Sequence, residues 1–335
     1  MSIVSYALKG NLKRFDDNLK KISKESGIGI WSLRFKFLNS FRMLGCGYSD
    51  FLNYELYKKT KSEILEYVSI KDQDKFYGIV SPSKYKNEFS YKPNFLKGFK
   101  KYIDRDFFVD EGLDELEKFL DKHEKFMVKP YDGLGGHKVD AMFARDVEDT
   151  QEFYEKLKNE RLFLEEYVVQ HEKINEICPS CVNTIRIMTF GYNGKSEIMF
   201  AGMRFGNGEA SVDNFHQGGM AVLVDVETGK LVGSAFNKNL DYFDKHPKSG
   251  VKFDGFQIPN WDKIKKMVLE AALVSEHIHA VGWDVAVTED GATFIEGNRR
   301  AGYDLPQVLS KRGRKDIMRH CLDVINENEG TNYKI

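Results

Sequence analysis

The chain has 335 residues, with 50 lysines and arginines against 51 aspartates and glutamates, a formal net charge of −1. That length is too great for one small core and fits two or three subdomains sharing an interface. The charge balance excludes a global field for nucleic acid or an anionic membrane, so any polyanion must be held locally. No apolar run approaches the ~18 residues of a membrane helix, and the opening MSIVSYALKGNLKRF lacks the apolar centre of a signal peptide. A cytoplasmic protein is the expectation.

In chain order, Leu12, Phe15, Leu19 and Ile22 recur at three- and four-residue steps, which predicts an amphipathic helix ending near Gly27. A second helix is expected from Trp31 to Leu44. After Gly45-Cys46-Gly47 the helical pattern returns over Asp50 to Val68. Residues 1–80 thus read as a helical N-terminal region whose aromatics are core, without a catalytic signature.

Past Ser81-Pro82-Ser83 strands alternate with helices, as in an α/β or α+β domain. Helical stretches at Asn94 to Ile103 and around Leu113 to Leu120 precede the strand Phe126-Met127-Val128-Lys129-Pro130. Tyr131 to His137 follows, carrying Gly133, Gly135 and Gly136, and then a new strand from Lys138. Glycines let the backbone turn its N–H groups toward phosphate oxygens, and a lysine ending the preceding strand adds a point charge. The common nucleotide fingerprints do not fit, because no GxGxxG opens a helix and no serine or threonine follows a lysine after the glycines. Taken alone, the loop reads equally as a flexible hairpin with a surface lysine.

Arg161 to His171 is an apolar strand turning acidic at Glu165-Glu166, suited to a hinge between lobes. Cys178-Pro-Ser-Cys181 lacks the second pair of a structural zinc site, and four cysteines are too few for a disulfide framework, so these read as reduced thiols. Asn183 to Phe190, a turn at Tyr192-Asn193-Gly194, and Glu197 to Arg204 form paired strands bearing Arg186 and Arg204. Two arginines on one sheet face clamp phosphate or carboxylate, although single strand arginines are more often solvated or salt-bridged. Asp213 to Gly219 is a second glycine loop. In Gly282 to Asn298, GWDVAVTEDGATFIEGN, two short strands flank the Glu289-Asp290-Gly291 turn. Glu296 and Asn298 share a face, and the turn brings Asp284 alongside. Three hard oxygen donors converging in this way suit magnesium arriving with a nucleotide; the alternative is a hairpin with exposed acids.

This ordered set of strand lysine with glycine loop, acidic hinge, NTIR strand, returning arginine strand, NFHQGG loop, WD and EGN resembles the ATP-grasp superfamily. Within it the chain is most similar to the sugar-transfer-associated ATP-grasp proteins, with more distant likeness to ligases that add amino acids to an amine. The segment GCGYSDFLNYELYKK resembles the helical lead-in of the sugar-transfer group. The resemblance implies an α+β fold in which two subdomains, expected over 81–167 and 168–335, clasp ATP.

It implies that Lys129 contacts the phosphates, that Asp132 to His137 is a mobile lid, and that Lys92 or Lys84 is an earlier nucleotide lysine. Glu165, Glu166, Tyr167 and Val168 match the linker holding adenine and ribose, and Asn214, Gly218 and Gly219 match a loop of the amino-acid-adding ligases. Asp284, Glu296 and Asn298 match ligands for one or two magnesium ions, and Arg186 and Arg204 match arginines near the transferring phosphate and acyl group. Several related ligases carry an arginine two residues before the metal aspartate, where this chain has Gly282, so oxyanion stabilisation falls to Arg204 or Arg300. The implied activity is carbon–nitrogen ligation through an acylphosphate, with a small carboxylate and an amine, such as an amino acid and an amino-sugar nucleotide. A kinase-like phosphotransferase and a non-catalytic nucleotide-binding module are the alternatives.

Overall fold

The computed structural model describes residues 12–132, 140–208, 218–239 and 241–335. Two antiparallel sheets make it an α+β protein. The smaller is built from β1 (Phe107–Phe108), β2 (Lys125–Pro130), β3 (Asp140–Phe143) and β4 (Leu162–Glu166) in the order β1-β4-β2-β3. The helices Leu113–Lys122 and Thr150–Glu160 cover one face, where Leu116, Phe119, Phe126, Phe153 and Leu164 form a separate core.

The larger sheet has the order β11-β10-β5-β6-β7-β8-β9, with β5 (Thr184–Tyr192), β6 (Lys195–Phe205), β7 (Met220–Val224), β8 (Leu231–Asn237), β9 (Tyr242–Phe243), β10 (Ala280–Val287) and β11 (Ala292–Asn298). Asn193 and Gly194 join β5 to β6 with φ of 48° and 74°, the left-handed pair that matches strand twist in a tight hairpin. Period-two alternation sends Ile185 and Ile187 to one face and Arg186 and Met188 to the other. Against the first face pack the Trp261–Ala271 helix and the aromatics Phe89, Phe95 and Phe99, which gather round Trp283 and Phe294. Residues 87–103, which sequence pattern groups with the smaller sheet, therefore share the core of the larger one.

The second face is divided along its strands. Met188, Phe190 and Phe200 are covered by the N-terminal helices and by the Lys315–Glu329 helix, in one core with Phe51, Tyr67, Phe76 and Met318. At the other end the same face carries Arg186, Arg204, Asp284 and Glu296.

The expected helix over Asp50 to Val68 is broken into Tyr48–Asn53, a 3-10 turn at Leu56–Lys58, and Lys61–Leu65. The breaks have local causes. Glu55 takes a left-handed φ of 51°, and the Thr60 hydroxyl accepts from the Glu63 N–H to start a new helix. A similar cap, Ser69 with Asp72, starts the helix Ile70–Val80. All four cysteines are buried and outside any disulfide. Among the described residues no helix is long and apolar enough to cross a membrane.

Candidate active site

The register of three strands creates the polar cluster. β10 lies between β5 and β11, so Asp284 has Arg186 opposite it on one side and Glu296 on the other. Glu296 reaches that position through a bulge. Val285 faces Phe294 but Asp284 faces Glu296, so one residue of β11 is passed over and Glu296 and Asn298 come onto the Asp284 face. Without the bulge, Asp284 would face Ile295. Glycines permit the packing behind and beside this turn of strand. A Cβ at Gly297 would lie 2.6 Å from the Phe95 ring, and one at Gly282 would lie 2.4 Å from the Ala301 methyl.

Asp284 is held by both strand arginines. Arg186 donates from Nε to Oδ1 at 2.6 Å and from Nη2 to Oδ2 at 3.1 Å, and Arg204 Nη2 lies 3.0 Å from Oδ2. Thr184 fixes the Arg204 plane by accepting from its Nε at 3.1 Å. Burial pushes the Asp284 carboxyl up, but the charges of Arg186 and Arg204 outweigh burial and hold it below its ordinary value. Glu296 behaves oppositely. Burial and the neighbouring Asp284 push it up, against the pull of Lys92, Arg186 and Arg204. Two close carboxylates, Asp284 buried and already matched by arginines and Glu296 partly buried, leave Glu296 short of positive charge. That is the electrostatic condition for a cation site, and Asp284, Glu296 and Asn298 fit magnesium if Asp284 shares its oxygens between arginine and metal.

The smaller sheet contributes a second ionic cluster at its edge. Glu165 on β4 is fully buried between Arg105 Nη2 and Lys129 Nζ, and Arg105 also donates to Thr293 Oγ1 at 3.0 Å and to the Phe294 carbonyl on β11. Burial raises the Glu165 carboxyl, but Arg105 and Lys129 outweigh it and bring it down to about 2. Both carboxylate oxygens of Glu165 are engaged by internal cations. Glu166 accepts from the Asp106 N–H at 3.0 Å, and Lys125 lies 3.7 Å from the centre of the Tyr167 ring. Val168, partly buried, continues this linker toward the larger sheet.

Lys92 connects the two clusters. It begins the helix Lys92–Gly98, whose Phe95 packs under Gly297, while its Nζ lies 3.4 Å from the Pro130 carbonyl at the exit of β2. Burial lowers the Lys92 ammonium, the charge of Glu296 raises it and that of Lys129 lowers it further. Lys84 lies over the Tyr85 ring at 4.7 Å and is turned elsewhere. Gly133, Gly135, Gly136 and Asn214 lie outside the described residues.

Arg300 is not brought to the Asp284 cluster as an oxyanion group. It pairs with Asp74 of the Ile70–Val80 helix and lies over the Tyr77 ring. The helix crosses the end of β11 and captures the side chain, an event that the EGNRR pattern does not announce. Arg105, which holds Glu165 and reaches β11, is the position that sequence reasoning missed. Its partners lie 60 and 188 positions away, so only the closed fold shows them.

With this geometry in view, residues 74–321 match the family model described as sugar-transfer associated ATP-grasp. The chain belongs to that family. ATP-grasp proteins are also what it is similar to among solved structures. The ATP-grasp ligase PsnB complexed with minimal precursor shares 11% identity over 73% of this chain and 63% of that one, with a TM-score of 0.46. D-alanyl-alanine synthetase A from Vibrio cholerae shares 13% over 72% and 66%, with a TM-score of 0.40. An L-amino acid ligase from Bacillus licheniformis shares 14% over 65% and 42%, with a TM-score of 0.39. The chain thus spans under two thirds of the length of the PsnB chain. Curated proteins gave no match. In this ATP-grasp chain the residue at Gly282 has no room for an arginine, because Ala301 and the Arg186 Cδ, 3.4 Å from a Cβ built there, occupy the space. Arg186 approaches the aspartate from the neighbouring strand instead.

Proposed function

We propose that this protein is an ATP-dependent carboxylate–amine ligase that forms an amide through an acylphosphate, joining an amino acid or similar carboxylate to an amine of an amino-sugar nucleotide. The observation that carries the reading is the Arg186–Asp284–Arg204 clamp beside the charge-deficient Glu296, facing Lys92. The family description supports the sugar connection.

A carboxylate is a poor electrophile because its oxygen is a bad leaving group. Attack of that oxygen on the γ-phosphorus breaks the bond to the β-phosphate, releases ADP and gives an acylphosphate, a mixed anhydride, from which the neutral amine expels inorganic phosphate and loses a proton to leave the amide. No enzyme nucleophile is required, and catalysis is positioning with charge neutralisation. Arg186 and Arg204, their planes fixed by Asp284 and Thr184, hold the negative charge that grows on the transferring group. Lys92 and Lys129 line the nucleotide side, Lys129 being anchored on Glu165. Magnesium held by Asp284, Glu296 and Asn298 would supply further charge neutralisation at the phosphates.

The test is to screen ADP release with amino acids paired with amino-sugar nucleotides, and then to supply the active carboxylate labelled with heavy oxygen. Label in inorganic phosphate only when both substrates are present supports ligation. A stable phosphorylated acceptor without label transfer would replace this reading by a kinase.

A further inference from the structure

The helix Ile30–Leu44 is apolar on two opposite sides. Its inner side belongs to the core, where Leu33 and Leu44 are buried and the Phe37 ring packs against Phe15 and Phe51 at centroid distances of 5.1 and 5.4 Å. Trp31, Phe35, Leu38 and Arg42 follow one another at steps of four, three and four residues, which sets them in one line along the helix. Trp31 is 79% exposed, Phe35 64% and Leu38 51%, so this line faces away from the core. Trp31 is the most exposed large apolar side chain among the described residues. A surface helix with one buried face ordinarily carries polar residues on the other, so three large apolar side chains in a row there mark an interaction surface.

Charge says what the surface meets. Residues 12–44, this helix and the Leu12–Ser26 helix packed on it, hold eight lysines and arginines against three aspartates and glutamates, a net +5 in a chain whose total is −1. Lys20, Lys21, Lys24 and Arg42 are exposed. Arg34 pairs with Asp16 at 2.9 Å and lies 5.0 Å over the Trp31 ring, which fixes the indole at the head of the line. Lys24 in the last turn of the preceding helix and Arg42 at the far end bracket the line along the chain, and neither has an ion pair among the described residues. An apolar line within a basic region is complementary to an anionic bilayer, where rings and aliphatic chains enter the boundary between headgroups and acyl chains while cations meet lipid phosphates. A second copy of the chain is a poorer match, because pairing the two lines would bring two +5 regions together.

We propose that the Trp31, Phe35 and Leu38 face docks this protein on an anionic phospholipid surface, with the three side chains in the headgroup boundary and Lys24 and Arg42 on lipid phosphates. Such docking needs no membrane-spanning helix and does not depend on the ligase chemistry. It also leaves the reaction centre free, since the N-terminal helices lie over the Met188, Phe190 and Phe200 end of the larger sheet and Arg186, Arg204 and Asp284 stand at the other.

The experiment mixes the full chain with vesicles of phosphatidylcholine alone or of phosphatidylcholine with phosphatidylglycerol, and reads co-sedimentation and tryptophan fluorescence. Of the three tryptophans Trp261 and Trp283 are buried, so Trp31 reports the surface. Anionic vesicles should sediment the protein, shift its emission to the blue and shield Trp31 from acrylamide, and added salt should weaken all three effects. Phe35→Ser combined with Leu38→Ser should raise the Kd for anionic vesicles about tenfold or more, and both positions are exposed, so the fold is retained by circular dichroism. Lys24→Glu combined with Arg42→Glu keeps the apolar line and removes its cations, and should weaken binding about as much. Mg-ATP affinity should be unchanged in both variants. No sedimentation with anionic vesicles, equal binding to neutral ones, or wild-type binding by both variants would each overturn the proposal. A dimer in analytical ultracentrifugation that the Phe35→Ser, Leu38→Ser variant loses, with vesicles ignored, would overturn it in favour of a second copy of the chain.

Discussion

Glu165 on the smaller sheet and Asp284 on the larger are both buried acids gripped by two cations, yet their surroundings make them different devices. Glu165 meets Arg105 and Lys129 and has no acidic neighbour across its strands, so one negative charge answers two positive ones. Asp284 meets Arg186 and Arg204 but lies opposite Glu296, so two acids share two arginines and the second acid stays under-compensated. The first cluster is closed, and it ties the sheets together because Arg105 reaches from β4 to β11. The second is open to one more cation. Ion pairing therefore marks rigidity in one place and readiness for ligand in the other, and the neighbouring acid decides which.

The largest expected effect breaks the open cluster. Glu296→Ala should reduce magnesium-dependent ATP turnover to background while the protein stays folded, because the removed carboxylate is held at an electrostatic cost in the unliganded protein. Turnover by ADP release and unfolding by circular dichroism are read on the same sample. Wild-type turnover in the folded variant would remove Glu296 from the site, and loss of the fold would mean that it belongs with Glu165 as a structural acid.

Removing a cation from the closed cluster should act the other way. Arg105→Ala strands Glu165 with Lys129 alone, and breaking one partner of a buried pair costs about 3–5 kcal/mol. Urea unfolding should show that loss, whereas a change below about 1 kcal/mol would mean the pair is solvated and the sheets are held by packing alone.

What the sequence made legible follows the same division. Asp284, Glu296 and Asn298 lie within one hairpin, so the turn announced their approach, but regular alternation alone would have set Ile295 opposite Asp284. Arg186 opposite Asp284 needed a strand pairing across 98 positions, and the bulge that re-aims Glu296 has no residue signature in FIEGN. Lys129 was readable as a strand-end lysine, but its pairing with Glu165, and that of Glu165 with Arg105, was not, because the partners lie 36 and 60 positions apart. The N-terminal helices were correctly periodic, and Phe15, Phe51, Tyr54 and Tyr57 are core as expected, whereas Trp31 and Phe35 are exposed.

The smallest effect separates the clusters by acid. Glu165 is held at about 2 in the folded protein, below the ordinary value of 4.5, so folding favours its charged form. Its contribution is therefore fully present above about pH 4.5 and is lost as pH falls from there toward 2. The shift corresponds to about 3–4 kcal/mol at most, at ~1.4 kcal/mol per pH unit. Glu165→Gln cannot titrate, so its unfolding free energy should fall less steeply than that of wild type between pH 4.5 and 2.5, although it starts lower at pH 7. Parallel curves would mean that Glu165 has the same affinity for protons folded and unfolded, and the closed cluster would then have to be redrawn with water between its charges.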